Sequence, residues 1–251
     1  MVNFETKQSD MIQIEGKTVA DLVAEDYRTA DVFKKNGIDF CCGGKVSVKE
    51  ICERKQVSYD QIVNDIQNIT KVNDPTLIQY SDWTLDKLVD YIVDKHHSYV
   101  KTNIPLILQY ARKVASVHGQ SSPETVEIYA KFEQISQELS GHMQKEELIL
   151  FPHIKKLARV ELNAESYVEP PFGTLQNPID VMEAEHIQAG DLGEEIRRLS
   201  NSYTPPEYAC NTFRVLYAKL KEFENDLHEH IHLENNILFP KAIAIEDKYQ
   251  S

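Results

Sequence analysis

Disulfides, membrane spans and basic surfaces are what this chain lacks. Cysteine is scarce, four in 251 residues, and two of the four are neighbours at Cys41 and Cys42; a secreted disulfide framework would instead space an even set through a short chain. No apolar run approaches the roughly 20 residues needed to span a bilayer, and Met1 to Asp10 lacks the charged-then-apolar order of a signal peptide. Positive charge is outnumbered, 27 Lys and Arg against 40 Asp and Glu, for a net charge of −13. That balance argues against nucleic acid and anionic membrane as partners, since both demand a basic face. The expectation is a soluble protein of the reducing cytoplasm, long enough for one large domain or a large domain with a small companion.

What is present is a segment that occurs twice. His142-Met-Gln-Lys-Glu146-Glu-Leu-Ile-Leu-Phe-Pro152 and His230-Ile-His-Leu-Glu234-Asn-Asn-Ile-Leu-Phe-Pro240 share six identities in eleven positions. Each copy has another His far upstream at nearly the same distance, 142 − 97 = 45 positions from His97 and 230 − 186 = 44 from His186. A bare His-x-x-x-Glu spacing carries almost no weight by itself. The joint register of two copies does, and it describes two helical hairpins, each offering His and then His-x-x-x-Glu.

Along the chain, the first 75 or so residues form a unit of their own. Thr18 to Asn36 has helical spacing of Val19, Leu22, Val23, Ala30, Val32 and Phe33, and stops at Lys34-Lys35-Asn36-Gly37. Ser47-Val-Lys-Glu50 and Ser58-Tyr-Asp-Gln61 have the form of capping boxes opening two short helices. Val72-Asn-Asp-Pro75 breaks the pattern, and Thr76 to Asp82 is the expected linker. Helices are expected over roughly 84–117, 123–160, 178–200 and 206–246. Ser122-Pro123, Asn177-Pro178 and Thr204-Pro205 mark the starts of the last three. Four such helices make an up-and-down bundle, a common home for a metal site.

The proposed ligands share apolar faces. His142 lines up with Ile135, Leu139, Glu146 and Ile149, and His230 with Phe223, Leu227, Glu234 and Ile237. His186 lies with Ile179, Met182 and Ala189. Each Glu follows its His by one helical turn, so both can reach one site. At His96-His97 only one ring should enter the core; periodicity does not decide between them, and the 45-residue spacing favours His97. Four imidazoles and two carboxylates without a thiolate disfavour a structural zinc site and an all-oxygen calcium or magnesium site. Two His per metal with two Glu able to bridge is the arrangement expected of a dinuclear iron centre, with manganese or a mixed pair as the alternatives.

These residues resemble a known family. Asp39-Phe-Cys-Cys-Gly-Gly44, His-Met-x-Lys-Glu-Glu at 142–147, Val-Met-Glu-x-Glu-His at 181–186, Thr-Pro-Pro at 204–206 and His-x-x-Leu-Glu-Asn-Asn at 230–236 are similar to the Repair of Iron Centers proteins of the ScdA or YtfE type. The likeness spans nearly the whole chain. It implies an all-α fold: a hemerythrin-like up-and-down four-helix bundle over 76–251, preceded by a small helical N-terminal domain over 1–75 that carries the Cys-Cys-Gly-Gly motif. It implies two non-haem iron ions in an oxo-bridged di-iron centre held by four His and two bridging Glu, matching His97, His142, Glu146, His186, His230 and Glu234. The connection from Glu161 to Asn177 departs from the family in being longer than usual. The resemblance also implies repair of iron-sulfur clusters damaged by nitrosative or oxidative stress. Damaged iron-sulfur proteins would be the clients, nitric oxide or dioxygen the small ligands, and a cytoplasmic homodimer the working form.

Cys41 and Cys42 can form only a strained, readily reduced disulfide, and Gly43-Gly44 permits a tight turn exposing both thiols. Redox chemistry, nitrosothiol formation or iron handling is their expected role. Glu185, next to His186, is a candidate carboxylate supporting the site or lining its access path. Cys52 and Cys210 read as small apolar residues, and His118, His153, His228 and His232 as surface or supporting ones. The competing functions are a nitric oxide reductase, which would turn nitric oxide over to nitrous oxide, and an oxygen- or nitric oxide-binding hemerythrin-like sensor, which would typically use five His.

Overall fold

The structure, a computed structural model, describes residues 14–72, 74 and 77–250. Met1 to Asp10 and three positions of the expected break and linker, Asn73, Pro75 and Thr76, lie outside them. The chain folds as two compact units, one ending at Trp83 and one beginning at Thr84. A 3-10 turn over Tyr80–Asp82, inside the expected linker, belongs to the first unit and packs on its first helix.

The first unit is built from four short helices, α1 (Val19–Glu25), α2 (Thr29–Lys35), α3 (Val48–Lys55) and α4 (Tyr59–Thr70). The stretch expected as one helix from Thr18 to Asn36 is two. At Asp26 the backbone swings to φ −149°, ψ 102°, and the buried carboxylate takes the Arg28 guanidinium at 2.6 and 2.9 Å. That bidentate pair turns the chain between α1 and α2. Thr18 and Asp21 form a reciprocal capping box, and Ser47 and Ser58 cap α3 and α4 by accepting from Glu50 and Gln61 N–H. A Cβ on Gly44 would sit 2.4 Å from the Phe40 carbonyl oxygen, so no other residue fits that turn.

The second unit is four long helical rods. The first joins α5 (Leu85–Tyr91), a π segment (Ile92–His97) and α6 (Ser98–His118); the second joins α7 (Glu124–Lys145), a π segment (Glu146–Leu150) and α8 (Phe151–Glu161). The third is α9 (Gln176–Leu199), and the fourth joins α10 (Asn211–Leu233), a π segment (Glu234–Leu238) and α11 (Phe239–Glu246). Packing of α6 on α7, α7 on α9, α9 on α10 and α10 on α6 closes the square of an up-and-down bundle. Among the described residues there is no strand, only an isolated bridge between Thr18 and Ser47.

The proline-marked starts need correction. No side chain caps α7, α9 or α10. Ser122 Oγ bonds Tyr208 Oη at 2.6 Å instead, and α9 begins before Asn177, inside whose first turn Pro178 falls. The last rod starts at Asn211 and not near 206. Pro206 disfavours helical backbone at Pro205, which delays the start.

The π segments have an identifiable cause in two rods. Pro152 and Pro240 have no N–H, so the regular ladder is broken there, and the preceding Phe151 and Phe239 N–H groups reach five residues back to the carbonyls of Glu146 and Glu234. The extra residue shifts the register downstream. Ile149, expected on the inner face, is therefore 49% exposed, and Leu150 is buried in its place.

Candidate metal centre

The three π segments meet at one level of the bundle and place the duplicated residues. His97 ends the first, Glu146 and Glu234 open the other two one turn after His142 and His230, and His186 projects from the middle of α9. All six are no more than 2% exposed. Their donor atoms form two groups, His97, Glu146, His230 and Glu234 in one and His142, Glu146, His186 and Glu234 in the other, each lying within 4.8 Å. Both carboxylates belong to both groups. Donors bonded to one ion at about 2.0–2.2 Å stand roughly 3–4.4 Å apart, so small side-chain adjustments close each group on a cation.

The imidazoles are oriented from behind. Nδ1 of His97 lies 2.7 Å from Glu147 Oε1, Nδ1 of His142 lies 2.8 Å from Glu185 Oε2, and Nδ1 of His186 lies 2.8 Å from Asn235 Oδ1. Each contact fixes the Nδ1–H form and aims the Nε2 lone pair inward, as metal-binding histidines require. The Nε2 atoms accordingly converge, His142 with His186 at 2.9 Å and His97 with His230 at 3.2 Å. Lys101, 2.6 Å from Glu147, and Lys145, paired with Glu185, neutralise the two outer carboxylates.

The inner carboxylates test whether this set fits a cation. Neither oxygen of Glu146 nor Oε2 of Glu234 has a hydrogen-bond partner, although both side chains are wholly buried. Each faces imidazole nitrogen: Glu146 faces His142 and His97 at 3.3 Å, and Glu234 Oε2 faces His186 at 3.1 Å. Buried anions without donors are costly, and bare lone pairs facing one another repel; a cation among them answers both. The nitrogen and oxygen donors suit a first-row transition metal.

Without metal, protons hold the charge. Burial opposes ionisation of His142, but the charge of the adjacent Glu146 lifts the ring to about 9. Burial also opposes charging His97, which is raised by the Glu146 carboxylate beside it. Burial and the charge of Glu234 push Glu146 up, but His142 and His97 outweigh them and hold it low; Glu234, opposed by burial, is held well below the usual range by His230 and His186. His230 is lowered by its burial. Metal must therefore displace protons on binding.

The structure brings the six expected ligands together and places Glu185 beside one of them. Glu147 and Asn235, each next to an expected ligand, act on rings of other helices, which no local spacing in the sequence encodes. His96 is buried as fully as His97, contrary to the expectation that one ring stays out. It faces Asp226 at 3.0 Å and stacks on His230. His232 is also buried, His153 packs edge-on to Phe172, and His118 lies 3.4 Å from the Cys210 sulfur. Cys52 is buried, whereas Cys210 is exposed at the start of α10 and is no core residue.

Cys41 and Cys42 lie in the first unit as thiols, sulfurs 3.8 Å apart. Cys41 is buried and Cys42 half-buried, so the turn does not expose both. Asp39 organises it, accepting from the N–H groups of Cys41, Cys42 and Gly43 and from the Cys41 thiol at 3.1 Å.

A four-helix bundle whose interior carries paired His and Glu donors defines a cation-binding helical protein. The family model described as Hemerythrin HHE cation binding domain matches residues 88–242, and the ScdA_N model, described as a domain of unknown function (DUF542), matches residues 15–70. The iron-sulfur cluster repair protein ScdA of Staphylococcus haemolyticus is 33% identical over 224 residues, 89% of this chain and 96% of the relative. A probable iron-sulfur cluster repair protein of Haemophilus influenzae is 35% identical over 84% of this chain and 90% of its own length. The iron-sulfur cluster repair protein YtfE of Escherichia coli is 34% identical over 87% and 93%. The chain belongs to the hemerythrin HHE family, in its ScdA and YtfE branch.

Proposed function

We propose that the chain holds two iron ions bridged by Glu146 and Glu234 and repairs iron-sulfur clusters damaged by nitrosative or oxidative stress. The observation that carries the reading is the sharing of both buried carboxylates between the two donor groups. His97 and His230 would hold one ion, His142 and His186 the other. Iron bound there supplies a redox-active Lewis acid for small ligands such as nitric oxide or dioxygen. The chain's own part is to fix the rings through Glu147, Glu185 and Asn235 and to exclude bulk water. Because carboxylates shift readily between bridging and terminal binding, such a pair gives up iron more easily than a thiolate cluster, which supports iron donation to damaged clients. The repair role follows the relatives' names. The cytoplasm and a homodimer are the proposed setting; no helix among the described residues is long and apolar enough to cross a membrane. Cys41 and Cys42 are proposed as a thiol pair handling iron or nitric oxide.

Elemental analysis of protein purified without added metal, with the spectrum between 300 and 400 nm, tests the centre. Two irons per chain with an oxo-bridge band are expected. No stoichiometric metal, even after anaerobic loading with ferrous iron, would overturn the reading. Reactivation of a nitric oxide-treated [4Fe–4S] dehydratase by the loaded protein, and not by a Glu146→Ala variant, tests the repair role.

A further inference from the structure

The two halves of the bundle carry the ligand set in one register, so a residue that orients a ligand in one half has a counterpart in the other. Glu147 follows Glu146 and holds Nδ1 of His97; Asn235 follows Glu234 and holds Nδ1 of His186. Glu185 precedes His186 and holds Nδ1 of His142. The fourth member of the pattern precedes His97 and should serve His230, but that position is His96. Its Nδ1 is turned to Asp226, and its ring lies flat against His230, planes 9° apart and centroids 5.5 Å apart. A parallel ring face offers no acceptor in the plane of the His230 N–H. Nδ1 of His230 has no hydrogen-bond partner in the structure, though the residue is only 1% exposed.

The chemical consequence is specific. An imidazole binds a cation through Nε2 only when its proton sits on Nδ1. Three of the four rings are held in that form. His230 is better satisfied in the opposite one, since with its proton on Nε2 it donates to Glu234 Oε1 at 2.9 Å, and with the proton on Nδ1 it donates to nothing. Departure of a cation from His230 is compensated by a hydrogen bond inside the ligand set, whereas His142 and His186, whose Nδ1 protons are held by Glu185 and Asn235, gain a donor toward the site only by taking up a second proton.

Resting on the di-iron reading, we propose that the two metal positions are inequivalent and that the ion on His97 and His230 is the exchangeable one. The ion on His142 and His186 is retained. Losing the outer partner of a ligating His typically costs about 10–100-fold in metal affinity, and release from the two positions should differ by about that factor.

The test is to load the protein anaerobically with two equivalents of ⁵⁷Fe(II), add excess ferrous chelator, follow release optically and examine the remaining iron by Mössbauer spectroscopy. Two phases of one iron each are expected, about tenfold or more apart, with a single iron environment after the first. Asn235→Ala removes the acceptor of His186 and should speed the slow phase while leaving the fast one unchanged. Glu185→Gln, a milder change at a less buried residue, should speed the same phase through His142. Acceleration of the fast phase alone by either variant would overturn the assignment. Release of both ions at one rate would overturn the proposal and leave the di-iron reading standing; failure to bind two ferrous ions would overturn that reading itself.

Discussion

Phe151 lies against the imidazole of His97, ring planes 19° apart and centroids 5.7 Å apart, and the duplicated segment repeats the contact in Phe239 over His186, 4° and 6.3 Å. In each half, the Phe of Ile-Leu-Phe-Pro covers the upstream His of its own hairpin. The Pro beside it breaks the ladder and creates the π turn that starts at the Glu. The repeated tail thus packs one candidate ligand and positions the other. Phe151→Ala should cost about 3–5 kcal/mol, the usual range for emptying a buried aromatic site. Chemical denaturation of metal-free protein measures it; a loss below about 1 kcal/mol would show that the site collapses without the ring.

Because Glu146 and Glu234 each face both donor groups, removing one carboxylate disturbs both positions, whereas removing one His disturbs one. Glu146→Ala should lower iron from two per chain to less than one, and His142→Ala should leave about one. Elemental analysis of the two variants purified side by side checks this; equal retention of iron would mean that Glu146 does not bridge.

Away from the centre, Arg197 on α9 and Glu224 on α10 form an ion pair at 2.9 Å with side-chain exposures of 21% and 5%. Burial and the nearby Glu224 charge also push Tyr203 up. Arg197→Ala takes the counter-charge from a buried carboxylate and should destabilise the bundle by about 3 kcal/mol, the lower end for a broken buried pair because Arg197 keeps some solvent. The double variant Arg197→Met with Glu224→Leu should regain most of that loss. If it denatures as early as the single variant, the lost counter-charge is not the cause.

Much of the candidate centre is legible in the sequence because the chain states it twice. His-x-x-x-Glu with a matched upstream His is a local pattern, and a duplication separates it from chance. The supporting residues were illegible for a physical reason: Glu147 and Asn235 sit on one rod and hold a ring on another, at sequence separations of 50 and 49. The ambiguity at His96-His97 had a structural cause as well. The π segment Ile92–His97 inserts a residue into the helical register, so the inward row of Val89, Ile92 and His96 gives way within it to the row of His97, Val100 and Ile104. A strict 3.6-residue period supports both rings because both are buried. A like shift in Glu146–Leu150 turns Ile149 outward against its spacing, and the Asp26 turn in the first unit is hidden because a buried Asp–Arg pair leaves no mark in apolar spacing.

The two neighbouring cysteines should differ in reactivity. The Cys41 thiol is raised well above its ordinary range by its hydrogen bond with Cys42, by burial, and by the negative charge of Asp39, whereas Cys42 is partly open to solvent. Alkylation requires the thiolate. A raised pKa means that Cys41 stays protonated near pH 8 and gains reactivity only as the pH climbs well beyond its ordinary value. Iodoacetamide at pH 8 should therefore mark Cys42 and spare Cys41, as read by peptide mass spectrometry of the folded protein. Asp39→Asn removes one source of negative charge and leaves only a weaker, neutral acceptor for the Cys41 thiol, and should bring the onset of Cys41 labelling to lower pH. Labelling of Cys41 ahead of Cys42 at pH 8 would mean that the turn opens in solution and that Asp39 does not hold the pair as described.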